Sequence, residues 1–180
     1  MKNHFLYILA LSFIFTIGLQ AQEATTFPDS WCGNWAGELE IYSGIGLLQK
    51  VPMSLTIQPT DSVDVYTWTL VYGSGEKSSI RPYELKVIDR ENGQYVIDEK
   101  NSIFLQAYLL GGKFYNRFAV GENLLMTTTE LLGEQLIFEV VFGKREPIST
   151  TGGQQYNGED IPEVYSFEVL GRQRAVLERG

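Results

Sequence analysis

The chain predicts an all-β fold: a single antiparallel up-and-down β-barrel of about eight to ten strands. Three observations carry this. Apolar residues alternate with polar ones at period 2 along short segments rich in β-branched and aromatic residues. The connections between those segments are brief and punctuated by Gly and Asn, as in hairpins. No segment shows the capped, 3.6-residue apolar stripe of an amphipathic helix. Sequential strands in one small domain must hide their edges, and closing the sheet removes edges entirely. A two-sheet β-sandwich is the alternative, and hairpin-length loops throughout favour up-and-down order over Greek-key crossings.

Taken in order, residues 1–21 are set apart from the fold. Lys2 supplies a positive start, Phe5 to Leu19 is almost wholly apolar, and "LQA" offers the small residue Ala21 before Gln22. That layout is a secretory signal with a cleavage site. The apolar run is short for a membrane span, which needs about 20 residues, and no later segment is long and apolar enough to cross a bilayer as a helix. The expectation is an exported protein, in a bacterial periplasm or secreted, with residues 22–180 forming one barrel domain.

Ten candidate strands follow. In "NWAGELEIY" Trp35, Leu39 and Ile41 share one face, with Asn34, Glu38 and Glu40 on the other. "VPMSLTIQ" alternates cleanly, and Pro52 near its start suggests an edge or a bulge. "DVYTWTLVYG" leads into the loop "GSGEKSS". "RPYELKVID" and "QYVIDE" flank "RENG", where Asn92-Gly93 is a strong hairpin signal. "SIFLQAYLL" pairs with "FYNRFAV" across "GGK", and "LLMTTTELL" with "LIFEVVFG" across "GEQ". "VYSFEVLGRQRAVL" closes the series. One connection is out of scale: Gly143 to Pro162 is polar and rich in Gly, Thr and Pro. A loop of that length is either a mobile surface loop or a lid over one mouth of the barrel.

Charge and composition exclude several functions. The full chain carries −8, and loss of Lys2 with the signal makes the remainder −9. An acidic chain with singly scattered acids is a poor partner for nucleic acid or anionic lipid. The one histidine, His4, lies in the signal. A chain without histidine has no Ser-His-Asp or Cys-His site, no His-ligated zinc and no His-ligated haem. No phosphate-binding loop, nucleophile elbow or calcium loop occurs, so neither metal nor cofactor is expected. Cys32 stands alone, with nothing basic beside it in sequence to hold a thiolate, and reads as buried and inert.

Gly33-Asn34-Trp35 opens the first strand, and Arg172 and Arg174 stand in the last. This resembles the G-x-W signature of the lipocalin-like (calycin) families. The resemblance implies a barrel whose Trp35 plugs one end, with Gly33 beside it and Arg172 or Arg174 packed across the indole. Those roles are structural. The sequence departs from lipocalins in lacking a central T-D-Y and in being Gly-rich where a helix would precede the last strand. It lacks the lid helices of fatty-acid-binding proteins and the haem-ligating histidine of nitrobindin-like barrels, so haem is not carried over.

Candidate binding residues come from the inward faces. Trp68 alternates with Tyr66, Leu70 and Tyr72, either as a cavity wall or as core. Tyr83 offers a hydroxyl to the interior. Asn116 lies between Phe114 and Phe118 on an inward face, and a polar group there needs a partner. A one-residue register slip would turn Arg117 inward instead, where it would suit an acidic ligand. Asp98 and Glu99 are sequence neighbours on opposite faces, not an acid–base pair, and mark a turn. The expected function is the binding of a small apolar or amphipathic molecule. A cell-envelope interaction module, using exposed Tyr66, Tyr72, Tyr108 or Tyr115, is the alternative. An enzyme using a Tyr and a carboxylate is the weaker third.

Overall fold

The computed structural model describes residues 26–180, so residues 1–21, expected from sequence to be a secretory signal, lie outside the described residues. Ten strands close into one antiparallel barrel: β1 (Gly33–Ser43), β2 (Gly46–Ile57), β3 (Val65–Tyr72), β4 (Ser79–Asp89), β5 (Gln94–Asp98), β6 (Phe104–Leu110), β7 (Lys113–Val120), β8 (Asn123–Leu132), β9 (Gln135–Lys144) and β14 (Gly171–Arg179). Each of β1 to β9 pairs with its sequence neighbours, and β14 enters between β9 and β1 to complete the circle. The expected up-and-down barrel is therefore the fold, and the sandwich is excluded.

The period-2 pattern resolves into an inside and an outside. Trp35, Leu39, Leu55, Ile57, Leu85, Phe114, Leu136 and Leu177 point inward and are almost fully buried. Each contributes roughly 1.5–3 kcal/mol by leaving water. Pro52 makes no bulge. It lies one residue beyond the last β2–β3 pair, Met53 with Tyr72, where a missing N–H leaves no gap in that ladder. Asn92-Gly93 does form the β4–β5 turn, with Asp89 Oδ1 accepting from the Asn92 backbone N–H at 3.0 Å.

The long connection is neither a loop nor a lid. It is a projecting hairpin arm in which β10 (Pro147–Thr151) pairs with β13 (Val164–Phe167), tipped by β11 (Gln155–Tyr156) and β12 (Glu159–Asp160). The last expected strand accordingly breaks in two, with "VYSF" in the arm and "GRQRAVLER" in the barrel. The returning chain crosses the outer wall at Gly143. A Cβ there would stand 1.7 Å from the Glu168 carbonyl oxygen, so only glycine lets the two backbones meet.

One end of the barrel is sealed. The chain before β1 turns through a 3₁₀ segment, Asp29–Trp31, and drives Phe27 and Trp31 into the interior. Phe27 meets Trp31 and Tyr95 edge-on, at ring-centroid distances of 4.6 and 5.0 Å, and also packs on Phe114. Trp35 donates its indole N–H to the Trp31 carbonyl at 2.9 Å. Arg90 ties the segment down from outside, donating to Phe27 O at 3.1 Å, Asp64 Oδ1 at 2.9 Å and Tyr66 Oη at 3.0 Å. Tyr66 in turn donates to Asp29 Oδ1 at 2.7 Å.

Trp35 is the plug that the resemblance implies, but its cation is Arg179, not Arg172 or Arg174. The guanidinium of Arg179 lies 4.2 Å from the Trp35 ring centre and donates to the carbonyls of Cys32 and Ser30. The reason is register. Trp35 is paired with Arg179, whereas Tyr42 and Glu40, near the other end of β1, are paired with Arg172 and Arg174. Both of those arginines point outward, and Arg172 bonds Glu139 on the neighbouring strand at 2.7 Å. Gly33 leaves the space for Arg179, because a Cβ there would come within 2.7 Å of Nη1. Cys32 is half-buried here, and burial, with Asp29 adding to it, raises its thiol pKa against the pull of Arg179. The Arg179→Ala variant should lose about 1–2 kcal/mol of unfolding free energy in urea titration. Arg172→Ala and Arg174→Ala should each stay within about 0.5 kcal/mol of the parent.

Candidate ligand cavity

The sealed end holds the start of β1 and β7 and the end of β4 and β14. The opposite end, where β3 stops at Tyr72 and β7 at Val120, has no such plug of aromatic side chains. Between the two lies a cavity of about 230 Å³. Aromatic and aliphatic side chains make most of its wall, among them Trp68, Leu70, Tyr72, Phe118, Leu125 and Phe138. Six polar side chains interrupt it: Tyr83, Glu99, Asn116, Thr127, Thr129 and Gln173.

Three of the four predicted binding residues meet in this wall. Trp68 and Tyr83 are cross-strand partners on β3 and β4. Asn116 faces them from β7. It donates from Nδ2 to the Gln106 carbonyl at 3.1 Å and accepts from Thr127 Oγ1 at 3.2 Å. One amide hydrogen and one lone pair are left over for a guest. Arg117, the fourth, is a correction. The β7 register pairs Asn116 with Thr127 and puts Asn116 inside, so Arg117 is exposed on the outer wall. It lies by the stem of the arm, near Met126 and Val169.

Two further residues belong to the wall. Of the two placements the sequence allows for Tyr72, the structure takes the phase it shares with Trp68 and turns it inside rather than to the outer face. Burial, with Tyr83 nearby adding to it, pushes its phenol up to about 12. Glu99 follows the last residue of β5, as a turn residue would, but it also lines the cavity, where its carboxylate hydrogen-bonds the Tyr83 phenol. Burial raises the Tyr83 phenol, and the Glu99 charge raises it further. Asp98 points the other way and binds Lys86 Nζ at 2.7 Å, so the two acids do part to opposite faces. Both cavity phenols are neutral hydrogen-bond donors at neutral pH. Among the described residues no group of His, Cys, Asp and Glu is placed to hold a metal ion.

No protein-family model matches the chain, and no curated protein matches it. Solved structures do. The S-type phycobiliprotein lyase CPES from Guillardia theta superposes with a TM-score of 0.57 at 8% identity, over 84% of this chain and 89% of that one. A protein of unknown function from the DUF3598 family of Nostoc punctiforme superposes with a TM-score of 0.55 at 14% identity, over 84% of this chain and 48% of that one. At these identities the likeness is one of fold: this chain shares a closed antiparallel barrel with both.

Tyr72 supplies a test of the cavity's dryness. Its folded pKa lies above the ordinary value of about 10. The folded state therefore holds the proton more tightly, and stability declines as pH rises through that interval toward 12. In absorbance titration at 295 nm, one phenol absent from Tyr72→Phe should ionise about two pH units late. That variant should also lose part of the alkaline fall in stability.

Proposed function

We propose that this protein is an exported carrier that binds one small, partly apolar molecule inside its barrel and performs no chemical step on it. The observation that carries this is the cavity: about 230 Å³ of aromatic-lined space, sealed at one end and dotted with hydrogen-bonding groups. It lies somewhat below the roughly 300–1,000 Å³ of pockets for drug-sized ligands, which points to a compact guest. A barrel of this strand number leaves room inside for one small ligand. The likeness to a barrel named as a phycobiliprotein lyase supports a small-molecule role without supplying the ligand. Export rests on the signal-like residues 1–21.

An interaction role draws support from one different observation, the arm. Tyr156, Tyr165, Phe167 and Ile148 are exposed there. The four tyrosines that would carry that role from the sequence do not cluster: Tyr66 and Tyr72 are turned inward, and only Tyr108 and Tyr115 pair on the outer wall.

Native mass spectrometry after incubation with a cell extract should show a discrete added mass that organic extraction removes. Thr127→Phe, which fills the cavity, should show the bare chain under the same conditions. A bare mass for the parent protein, or an added mass that persists in Thr127→Phe, contradicts the carrier reading.

A further inference from the structure

The carrier reading leaves the chemical class of the guest open, and the charge in the cavity wall narrows it. The wall contains one carboxylate, Glu99, and no Lys or Arg. Extending the β4–β5 register one residue beyond the Glu84–Asp98 pair sets Glu99 directly across from Tyr83. Its side chain is partly buried. Among the described residues, no ion pair within 4 Å includes it. Its side-chain partners are neutral: Asn101 Nδ2 donates to it at 3.3 Å, and the Tyr83 phenol hydrogen-bonds it from across the register. The neighbouring acids differ. Glu84 holds Lys100 at 2.8 Å, and Asp98 holds Lys86 at 2.7 Å.

A carboxylate drawn partly out of water needs a compensating charge or several donors. Glu99 has two neutral donors, the Asn101 amide and the Tyr83 phenol, and no cation, and it shares the cavity wall with the aromatic rings of Trp68, Tyr72 and Phe118. Aromatic faces attract cations as well, by about 0.5–1 kcal/mol each at exposed sites. A negative guest would meet Glu99 with no cation in the wall to offset it. Arg81 shares the inward phase of β4 with Tyr83, and its charge is felt by the Tyr72 and Tyr83 phenols, but it is exposed toward the rim and does not line the cavity.

We propose that the cavity selects a small organic cation, an amine with an apolar body. Its ammonium group sits at Glu99 beside Tyr83, and its body lies against Trp68 and Phe138. The Asn116 amide and Thr127 hydroxyl accept or donate to any further polar group on the guest. This rests on the carrier reading above.

The test is calorimetric titration of the purified protein with three probes sharing one body: 2-(1-naphthyl)ethylamine, 2-(1-naphthyl)ethanol and 1-naphthylacetate. The amine should bind about tenfold more tightly than the alcohol, and the acid most weakly. Glu99→Gln should bring the amine to about the alcohol's affinity, and an unchanged urea unfolding midpoint shows that the variant is folded. Equal affinity for amine and alcohol, an amine preference that survives Glu99→Gln, or tightest binding of the acid would each overturn the cation assignment while leaving a ligand-binding barrel in place. If none of the three binds while native mass spectrometry still shows an extractable guest, the cation assignment falls alone; if that added mass is absent as well, the carrier reading falls with it.

Discussion

A ten-strand sheet has two edges, and the pairing of β1 with β14 is what removes them here. Nine residue pairs, from Trp35 with Arg179 to Ser43 with Gly171, join the two ends of the meander. Every other property of the molecule depends on that seam. It decides which alternate residues of each strand are enclosed and which meet water. It also sets Arg179 over Trp35, where the seam reaches the sealed end. An indole, a guanidinium and the carbonyls of Ser30 and Cys32 there fasten the first strand, the last strand and the chain preceding them at one point.

The cavity follows from uneven filling of the enclosed space. Toward the seal, Phe27, Trp31, Tyr95 and Phe114 stack edge to face and leave no room. Higher up, the short side chains of Thr127 and Thr129 on β8 lie opposite Trp68 on β3, and Ala175 and Thr129 flank Phe138 on the strands beside it. The polar members of that wall are held by the sheet itself. Asn116 is fixed by a backbone carbonyl on β6 and a hydroxyl on β8, so its remaining valences are aimed before any guest arrives. Rigid strands rather than loops carry most of the wall, and this limits the ordering a guest must impose.

The fold was largely legible because one period governs it. Alternation over "VPMSLTIQ" and "VYTWTLVY" needs no tertiary information to read, and turn residues such as Asn92-Gly93 announce the reversals. Trp68, Tyr83 and Asn116 could be placed on inner faces for the same reason. What failed was register across strands. Arg172 and Arg174 are on the right strand but the wrong face, and their true counterpart lies five residues beyond Arg174. Phase in β7 separates Asn116 from Arg117, and only the pairing with β8 decides it. Glu99 was missed because it lies one residue past a strand, where the turn signal of "DEKNS" masks the continued alternation from Tyr95 and Ile97. The arm was missed because its glycines and threonines read as a loop, while its pairing is set by an extension of the β9–β14 hairpin.

The seam also governs how the protein comes together in time. The other barrel pairs join consecutive strands, or, for β9 with β14, strands joined by the arm hairpin, so each can form locally. The Arg179 contact with Cys32 spans 147 residues. Its loop-closure entropy is met only once the meander has shortened the distance. Until then β1 and β9 carry open edges, each able to recruit a strand from another molecule. The kinetic weak point of this barrel is therefore its seam, and crowding or delay before residues 171–179 dock is the condition under which it would aggregate.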